Sequence, residues 1–165
     1  MMTLRLHGID HIYLSVTDLN RSEEFYDRVM AALGLHKGDT PIGGARHAHY
    51  VTPSFQLTIR QARSIQKHDP ESPGLHHLCF QALSKVDVDG CYQILSELGL
   101  NPTEPKLYPE YNPEYYATYF EDPDGIRLEI VSRTSYRRQL SEKWSEFHTF
   151  LNPLQTLRQK SEDAD

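Results

Sequence analysis

The chain of 165 residues contains an internal repeat, which limits the folds open to it. Residues 8–14 (GIDHIYL) align with residues 74–80 (GLHHLCF), and residues 33–35 (LGL) align at nearly the same offset with residues 98–100 (LGL). In each half, the segment between the two aligned stretches has a helical pattern of similar length that ends at a glycine. A chance similarity between two short strands would not explain why both helical patterns also end at a glycine. The repeat therefore predicts two copies of one supersecondary unit.

The second copy ends in a stretch that predicts strand, tight turn and strand, over residues 120–131. In the turn, residues 122–125 (DPDG), proline presets one backbone angle and glycine adopts a positive one. Beyond it, apolar residues alternate with Arg127, Glu129 and Val131, so Glu129 lies on the face opposite the apolar one. A carboxylate in a half-buried strand costs free energy unless it is paired. The pattern thus predicts a partner for Glu129.

The same periodicity predicts the other elements. In the first half they are a strand at 8–16, a helix at about 20–33, a loop at 36–45 and a hairpin of strands 46–51 and 55–61. In the second half they are a strand at 75–82, a helix at 86–98, an irregular Pro-rich loop at 101–114 and strands at 115–121 and 126–132. The apolar strand faces are expected to meet the helices, and the opposite faces to line a shared cleft.

The predicted domain spans residues 1–135 and contains both modules. A polar linker at 62–73 separates module one, 6–62, from module two, 74–133. Residues 136–165 are expected to form a helical extension with a frayed end. Its helix is predicted over 137–151, where Leu140, Trp144, Phe147 and Leu151 recur at helical spacing.

The charge, the apolar content and the cysteine count exclude several classes of function. A net charge of −6 argues against nucleic acid or an anionic membrane as the main partner. No apolar run is long enough to span a bilayer, and the N-terminal residues lack the apolar segment of a secretory signal. The two cysteines, Cys79 and Cys91, form no disulfide framework. We expect a reduced cytoplasmic protein that binds a small molecule and forms a homodimer through strand edges and the tail.

The predicted cleft face is unusually polar. It carries His11, Tyr13, Gln56, Thr58, Arg60, His77, Cys79, Gln81, Tyr115, Tyr119, Arg127 and Glu129. Because His11 and His77 are equivalent positions of the repeat, a pseudo-twofold pairing of the modules would bring them together, and Glu129 could complete a trio. Two imidazoles and a carboxylate suit one divalent ion of iron, manganese, nickel, cobalt or zinc.

These motifs resemble those of the vicinal oxygen chelate superfamily, which includes glyoxalases, extradiol dioxygenases and bleomycin-resistance proteins. Residues 8–12, 74–80 and 122–129 carry the resemblance, which covers about residues 6–132. It implies an α+β fold of two βαβββ modules in a half-open mixed β-barrel, here followed by a C-terminal helix. It also implies metal ligands at His11, His77 and Glu129.

The resemblance implies a metal-dependent enzyme that chelates a small substrate through vicinal oxygens. Both a lyase or isomerase and an extradiol dioxygenase are compatible with it, and a bleomycin-resistance-like binding protein without catalysis is the alternative. The implied catalytic groups are Glu129, when displaced, and Tyr119, which matches an active-site tyrosine of related enzymes. Gln56 stands where glyoxalase I has a fourth ligand, so it is either a weak ligand or a substrate contact. Expected substrate contacts are Tyr13, Thr58, Arg60, Cys79, Tyr115 and Arg127.

Several of these residues also have a structural interpretation. Tyr119 could be a packing aromatic, Cys79 a small residue of the cleft wall, and each of Arg60 and Arg127 one half of an ion pair. His47 and His49 are expected at the surface, with the mouth of the cleft as the alternative, and His76 is expected at the surface or packed against a loop. The tyrosines of the Pro-rich loop, at positions 108, 111, 115 and 116, are expected to form a packing platform or a lid over the cleft.

Overall fold

The computed structural model describes residues 8–66 and 68–144. Module one consists of β1 (His11–Val16), α1 (Leu19–Ala32), β2 (His36–Asp39), β3 (His47–Thr52) and β4 (Phe55–Gln61). Module two consists of β5 (His77–Gln81), α2 (Lys85–Glu97), β6 (Lys106–Leu107), β7 (Tyr116–Glu121) and β8 (Arg127–Ser132), and α3 (Thr134–Glu142) follows it. The α+β class and the two βαβββ modules are confirmed.

Each module folds as one four-stranded mixed sheet, and the two sheets do not close into a barrel. The strand orders are β1-β4-β3-β2 and β5-β8-β7-β6. In both sheets the first strand pairs in parallel with the last, which places His11 opposite Gln56 and Cys79 opposite Glu129. The two predicted ligand histidines therefore begin edge strands at the same position of each module.

Two segments predicted as loops contain a strand each. β2 lies within the predicted loop 36–45 and pairs with β3, and β6 lies within the predicted loop 101–114 and pairs with β7. Both are short edge strands whose residues are mostly exposed. Backbone hydrogen bonds to a neighbouring strand hold them, so they need no alternation of apolar side chains and leave no periodic signal.

The C-terminal helix is confirmed, with a different start. α3 begins at Thr134, whose hydroxyl donates to the carbonyl of Leu83 at 2.8 Å, and Tyr136 is its buried residue. Trp144 is 67% exposed. The rest of the predicted helix, with Phe147 and Leu151, lies outside the described residues. None of the helices in the described ranges has the length and apolarity needed to cross a membrane.

The larger of two hydrophobic clusters in the described residues joins the modules through their helix-bearing sides. It is built from buried residues of α1, α2 and the covered faces of both sheets. The turn at 122–125 adds polar contacts, since Asp122 accepts a hydrogen bond from the Tyr26 hydroxyl at 2.9 Å and Asp124 accepts one from the Thr17 amide at 2.6 Å. Because burial of apolar area drives this packing, the opposite, polar sheet faces are left pointing away from the core.

Candidate metal centre

Glu129 lies in the middle of β8 with only 1% of its side chain exposed. Its Oε2 atom is 3.3 Å from Nε2 of His77, which stands at the start of the neighbouring strand β5. Its Oε1 atom accepts a hydrogen bond from the Tyr115 hydroxyl at 2.5 Å. Each carboxylate oxygen therefore has a partner, which offsets the cost of burying the charge. The prediction that Glu129 needs a partner is confirmed.

A cavity of about 450 Å³ opens in front of Glu129. It is lined by His76, His77, Glu110, Tyr111, Tyr115, Tyr119, Arg127, Glu129 and Arg133. We call it the second cleft, since all of these residues follow the linker. The guanidinium of Arg127 lies 4.2 Å from the centre of the Tyr119 ring, and that of Arg133 lies 5.4 Å from the Tyr115 ring. Within the described residues neither arginine pairs with a carboxylate.

The two tyrosines beside Glu129 are held in their neutral form. Burial raises the pKa of Tyr115 and of Tyr119 well above the usual range, and the negative charge of Glu129 raises it further. Burial and Glu129 likewise raise the pKa of the Cys79 thiol. Cys79 packs against the cluster of Tyr115, Tyr119 and Val131 and is absent from the lining of the second cleft. Cys79 is therefore a packing residue behind the cleft, which corrects its expected places as a substrate contact and as part of the cleft wall.

Module one forms a separate, smaller cleft of about 380 Å³, which we call the first cleft. It is lined by Tyr13, Gly38, Thr40, Ile42, His49, Val51 and Gln56. His11 lies beside it, with 51% of its side chain exposed and its ring 5.5 Å from that of Tyr13. Its Nδ1 atom is 2.8 Å from Oδ1 of Asp10.

A directional hydrogen-bond chain crosses the floor of the first cleft. Nε2 of His49 lies 3.2 Å from the carbonyl oxygen of Thr40, which can only accept, so this nitrogen carries the proton. Nδ1 of His49 then accepts from the Thr58 hydroxyl at 2.9 Å, and Thr58 in turn accepts from the amide nitrogen of Gln56 at 2.9 Å. The amide of Gln56 is thus oriented with its nitrogen toward Thr58.

These contacts correct the expected roles of several residues. His47 and His49, expected at the surface, are buried, and their rings stack on each other and bond to backbone carbonyls. His49 lines the first cleft, which agrees with the alternative expectation that it reaches a cleft. Thr58 is fully buried and bonded, so it is not placed to contact a substrate. Arg60 is half-buried opposite His47 and lines neither cleft.

We expect the substitution Thr58→Val to destabilise the protein by about 0.5–1.5 kcal/mol, because it removes two hydrogen bonds and leaves His49 and Gln56 only their 3.3 Å contact with each other. Urea unfolding monitored by circular dichroism measures the change. Thr40→Val is the matched control, since Thr40 is exposed and contacts His49 through its carbonyl. Equal midpoints for the two variants would contradict the hydrogen-bond chain.

The two clefts do not merge within one chain, which corrects the expected shared cleft. The structure brings His77 and Glu129 together but leaves His11 in module one, beside Asp10 and Tyr13. In residues 8–66 and 68–144, no three histidine, cysteine, aspartate or glutamate side chains are grouped so that they could hold a metal ion. The reason is the packing of the helix-bearing sides, which points the polar faces of the two sheets apart.

Comparison with known proteins identifies the family. The model of the glyoxalase/bleomycin resistance protein/dioxygenase superfamily matches residues 8–130. The chain belongs to this superfamily. The uncharacterized protein YqjT of Bacillus subtilis (strain 168) is 32% identical to it over 131 residues, which is 74% of this chain and 96% of YqjT.

Two further superfamily relatives cover most of the chain. The metallothiol transferase FosB of Staphylococcus epidermidis (strain ATCC 12228) is 27% identical over 131 residues, 79% of this chain and 85% of FosB. A glyoxylase/bleomycin resistance protein/dioxygenase domain from Frankia sp. EAN1pec has a solved structure that is 26% identical, with a TM-score of 0.62. That match covers 78% of this chain and 98% of the Frankia domain. The superfamily thus includes enzymes that are similar to this chain.

Sequence reasoning missed three residues that line the second cleft: His76, Glu110 and Arg133. Arg133 had a usable signal, because it continues the alternation of Arg127, Glu129 and Val131, and the predicted strand stopped one residue before it. Tyr111 was predicted to belong to a packing platform or a lid over the cleft; it packs on Tyr108 and Tyr115 and lines the second cleft. Glu110 lies in an irregular loop, where no periodicity predicts the direction of a side chain.

Proposed function

We propose that the protein is a metal-dependent enzyme that acts on a small anionic substrate and works as a homodimer. Glu129 is the observation that carries the proposal. A carboxylate that is 1% exposed, with one oxygen 3.3 Å from an imidazole nitrogen at the edge of a cavity, has the donor chemistry of half a metal site. Residues His77 and Glu129 of one chain and His11 of a second chain would hold the ion.

The separation of the clefts supports a site shared between two chains. Each cleft is lined by residues of one module, and the core lies between the sheets on their other side. His11 and His77 keep 51% and 38% of their side chains exposed, so both can meet a partner surface. If the first cleft of one copy faces the second cleft of another, twofold symmetry creates two equal sites with three protein ligands each.

The charges of the second cleft favour an anionic substrate. Its lining contains two arginines, Arg127 and Arg133, and two carboxylates, Glu110 and Glu129. A divalent ion bound by Glu129 would make the total charge positive. The ring contacts with Tyr119 and Tyr115 hold the guanidiniums in place without neutralising them. A cavity of about 450 Å³ accommodates a molecule of metabolite size.

The side chains around Glu129 suit a reaction that moves a proton or adds a nucleophile. Bound at this site, a divalent ion supplies Lewis-acid polarisation of the substrate oxygens. Tyr115 orients the Glu129 carboxylate, and Tyr119 presents a neutral hydroxyl that can donate to a substrate oxygen. The likeness to FosB, named a metallothiol transferase, supports a transferase-type reaction over ring cleavage.

Metal analysis and sedimentation of the freshly purified protein test this proposal. We expect a homodimer with about one divalent ion per chain, and chelation with EDTA should lower the melting temperature. A protein that carries no metal and whose melting temperature does not respond to added manganese, nickel or zinc would instead support a binding protein without catalysis. Oxygen uptake with catechols would contradict the assigned reaction class and favour a dioxygenase.

A further inference from the structure

Both proposed ligand histidines are contacted at Nδ1 by the side chain that precedes them in sequence. Nδ1 of His11 is 2.8 Å from Oδ1 of Asp10, and Nδ1 of His77 is 2.7 Å from Nδ1 of His76. The four residues occupy equivalent positions of the two modules. We infer that Asp10 and His76 are positioning residues that present Nε2 of each histidine to the metal, an inference that rests on the proposed metal site.

Asp10 restricts His11 to one tautomer. An ionised carboxylate only accepts hydrogen bonds, so the proton of a neutral His11 ring lies on Nδ1. Its lone pair then lies on Nε2, the atom left for a metal. This arrangement of carboxylate, histidine and metal is a known way to orient a ligand and to raise its basicity.

His76 acts differently on His77, because an imidazole nitrogen can donate or accept. Two nitrogens 2.7 Å apart share one proton. In the structure Nε2 of His77 lies 3.3 Å from Oε2 of Glu129, and its Nδ1 lies against Nδ1 of His76. When Nε2 of His77 ligates a metal, its proton must lie on Nδ1, and His76 accepts it. The Nε2–H of His76 then faces Oε1 of Glu71, 3.9 Å away.

The residue before the ligand histidine therefore acts differently in the two modules, as a carboxylate in module one and as an imidazole in module two. Asp10 favours the tautomer of His11 whose Nε2 is free for a metal, whereas His76 can accept from Nδ1 of His77 or donate to it, and its accepting form is compatible with a metal on Nε2 of His77. Both positioning side chains are well exposed in the single chain, 96% for Asp10 and 54% for His76. Substitutions at exposed positions rarely disturb the fold, so an effect on the metal site would report positioning rather than packing.

Zinc affinity and the imidazole tautomers test the inference on the full-length dimer. We expect Asp10→Ala and His76→Ala each to weaken zinc binding by about 10–100-fold, the range typical for the loss of a side chain that orients a metal ligand. Asp10→Asn and His76→Asn should recover most of the affinity, because a side-chain oxygen can still accept from Nδ1–H. His36→Ala, at an exposed histidine of β2, is the control and should match the wild type.

Long-range ¹H–¹⁵N spectra of the metal-free protein give a readout that does not depend on metal. We expect the Nδ1–H tautomer for His11 in the metal-free protein, and the Nδ1–H tautomer for His77 once zinc chloride is added. In Asp10→Ala, His11 should become a mixture of tautomers. The variants His11→Gln and His77→Gln assign the signals.

The outcomes separate this inference from the proposed function. An unchanged His11 tautomer in Asp10→Ala, with zinc affinities of both alanine variants within about threefold of wild type, would overturn the positioning roles and leave the metal site standing. A wild-type protein that binds no zinc would overturn the proposed function. In that case the His11 tautomer with and without the Asp10 carboxylate would still decide the role of Asp10.

Discussion

The substitution Glu129→Gln is expected to abolish stoichiometric metal binding and to leave the protein folded. Glutamine fills the same volume and can still accept the hydrogen bond from Tyr115. It has no charge, however, and a neutral amide oxygen is a poor substitute for a carboxylate that completes a site with imidazoles. We expect the metal affinity to fall more than about 100-fold, beyond the loss caused by removing an orienting side chain.

Plasma mass spectrometry of the purified variant measures the metal content, and urea unfolding of metal-free protein measures the fold. The free energy of unfolding should stay within about 1.5 kcal/mol of the wild type. Glu97→Gln, at an exposed carboxylate of α2, is the matched control and should keep its metal. A folded Glu129→Gln variant with one ion per chain would show that Glu129 is not a ligand.

The substitution His11→Ala is expected to remove the metal as completely as Glu129→Gln does. Within one chain this result would be surprising, because His11 lies in module one and does not line the cleft that contains Glu129. It follows from a site in which His11 of one copy completes the ligands of the other. Half of its side chain is exposed in the single chain, so the substitution should cost little stability.

The control for this variant is His36→Ala, which removes an exposed histidine from the opposite edge strand of the same sheet. Metal analysis and sedimentation should be made on both variants, so that loss of metal is distinguished from loss of the dimer. A His11→Ala dimer with full metal content would mean that His77 and Glu129 bind the ion with other partners, and the shared site would be wrong.

Much of the fold could be predicted from sequence because the informative strands are half-buried. Alternation identified β4 and β8, and glycines marked the ends of α1 and α2, where Gly34 and Gly99 have φ of 80° and 75°. β2 and β6 were not predicted, because backbone hydrogen bonds alone stabilise such edge strands and their side chains show no alternation. The burial of Glu129 was predictable for the same reason as β8, since its neighbours in the strand are apolar.

The relation between the two modules could not be predicted from the repeat. Equivalent sequences predict equivalent modules, but the same apolar faces are buried whether the polar faces turn toward each other or away. The choice rests on contacts between residues far apart in sequence, such as Tyr26 with Asp122 and Thr17 with Asp124. Neither pair has a sequence pattern that links its members, so the separation of His11 from Glu129 appears only in three dimensions.

The tyrosine that donates a hydrogen bond to Glu129 was also identified only in three dimensions. Tyr119 and Tyr115 lie on the same side of the second hairpin, and the resemblance to known enzymes singled out Tyr119. In the structure Tyr115, one residue before β7, donates to the carboxylate, while Tyr119 packs beneath Arg127. Periodicity places both rings on one face and does not resolve which hydroxyl reaches the acid.

Complementation between two inactive variants tests the shared site most directly. His11→Ala chains lack the ligand of module one, and Glu129→Gln chains lack a ligand of module two, so each homodimer should bind no metal. After the two are unfolded together in equal amounts and refolded, half of the dimers are mixed, and each mixed dimer has one intact site. The account predicts recovery of about one quarter of the wild-type metal content. Mixed dimers, verified by mass, that bind no more metal than the separate variants would contradict it.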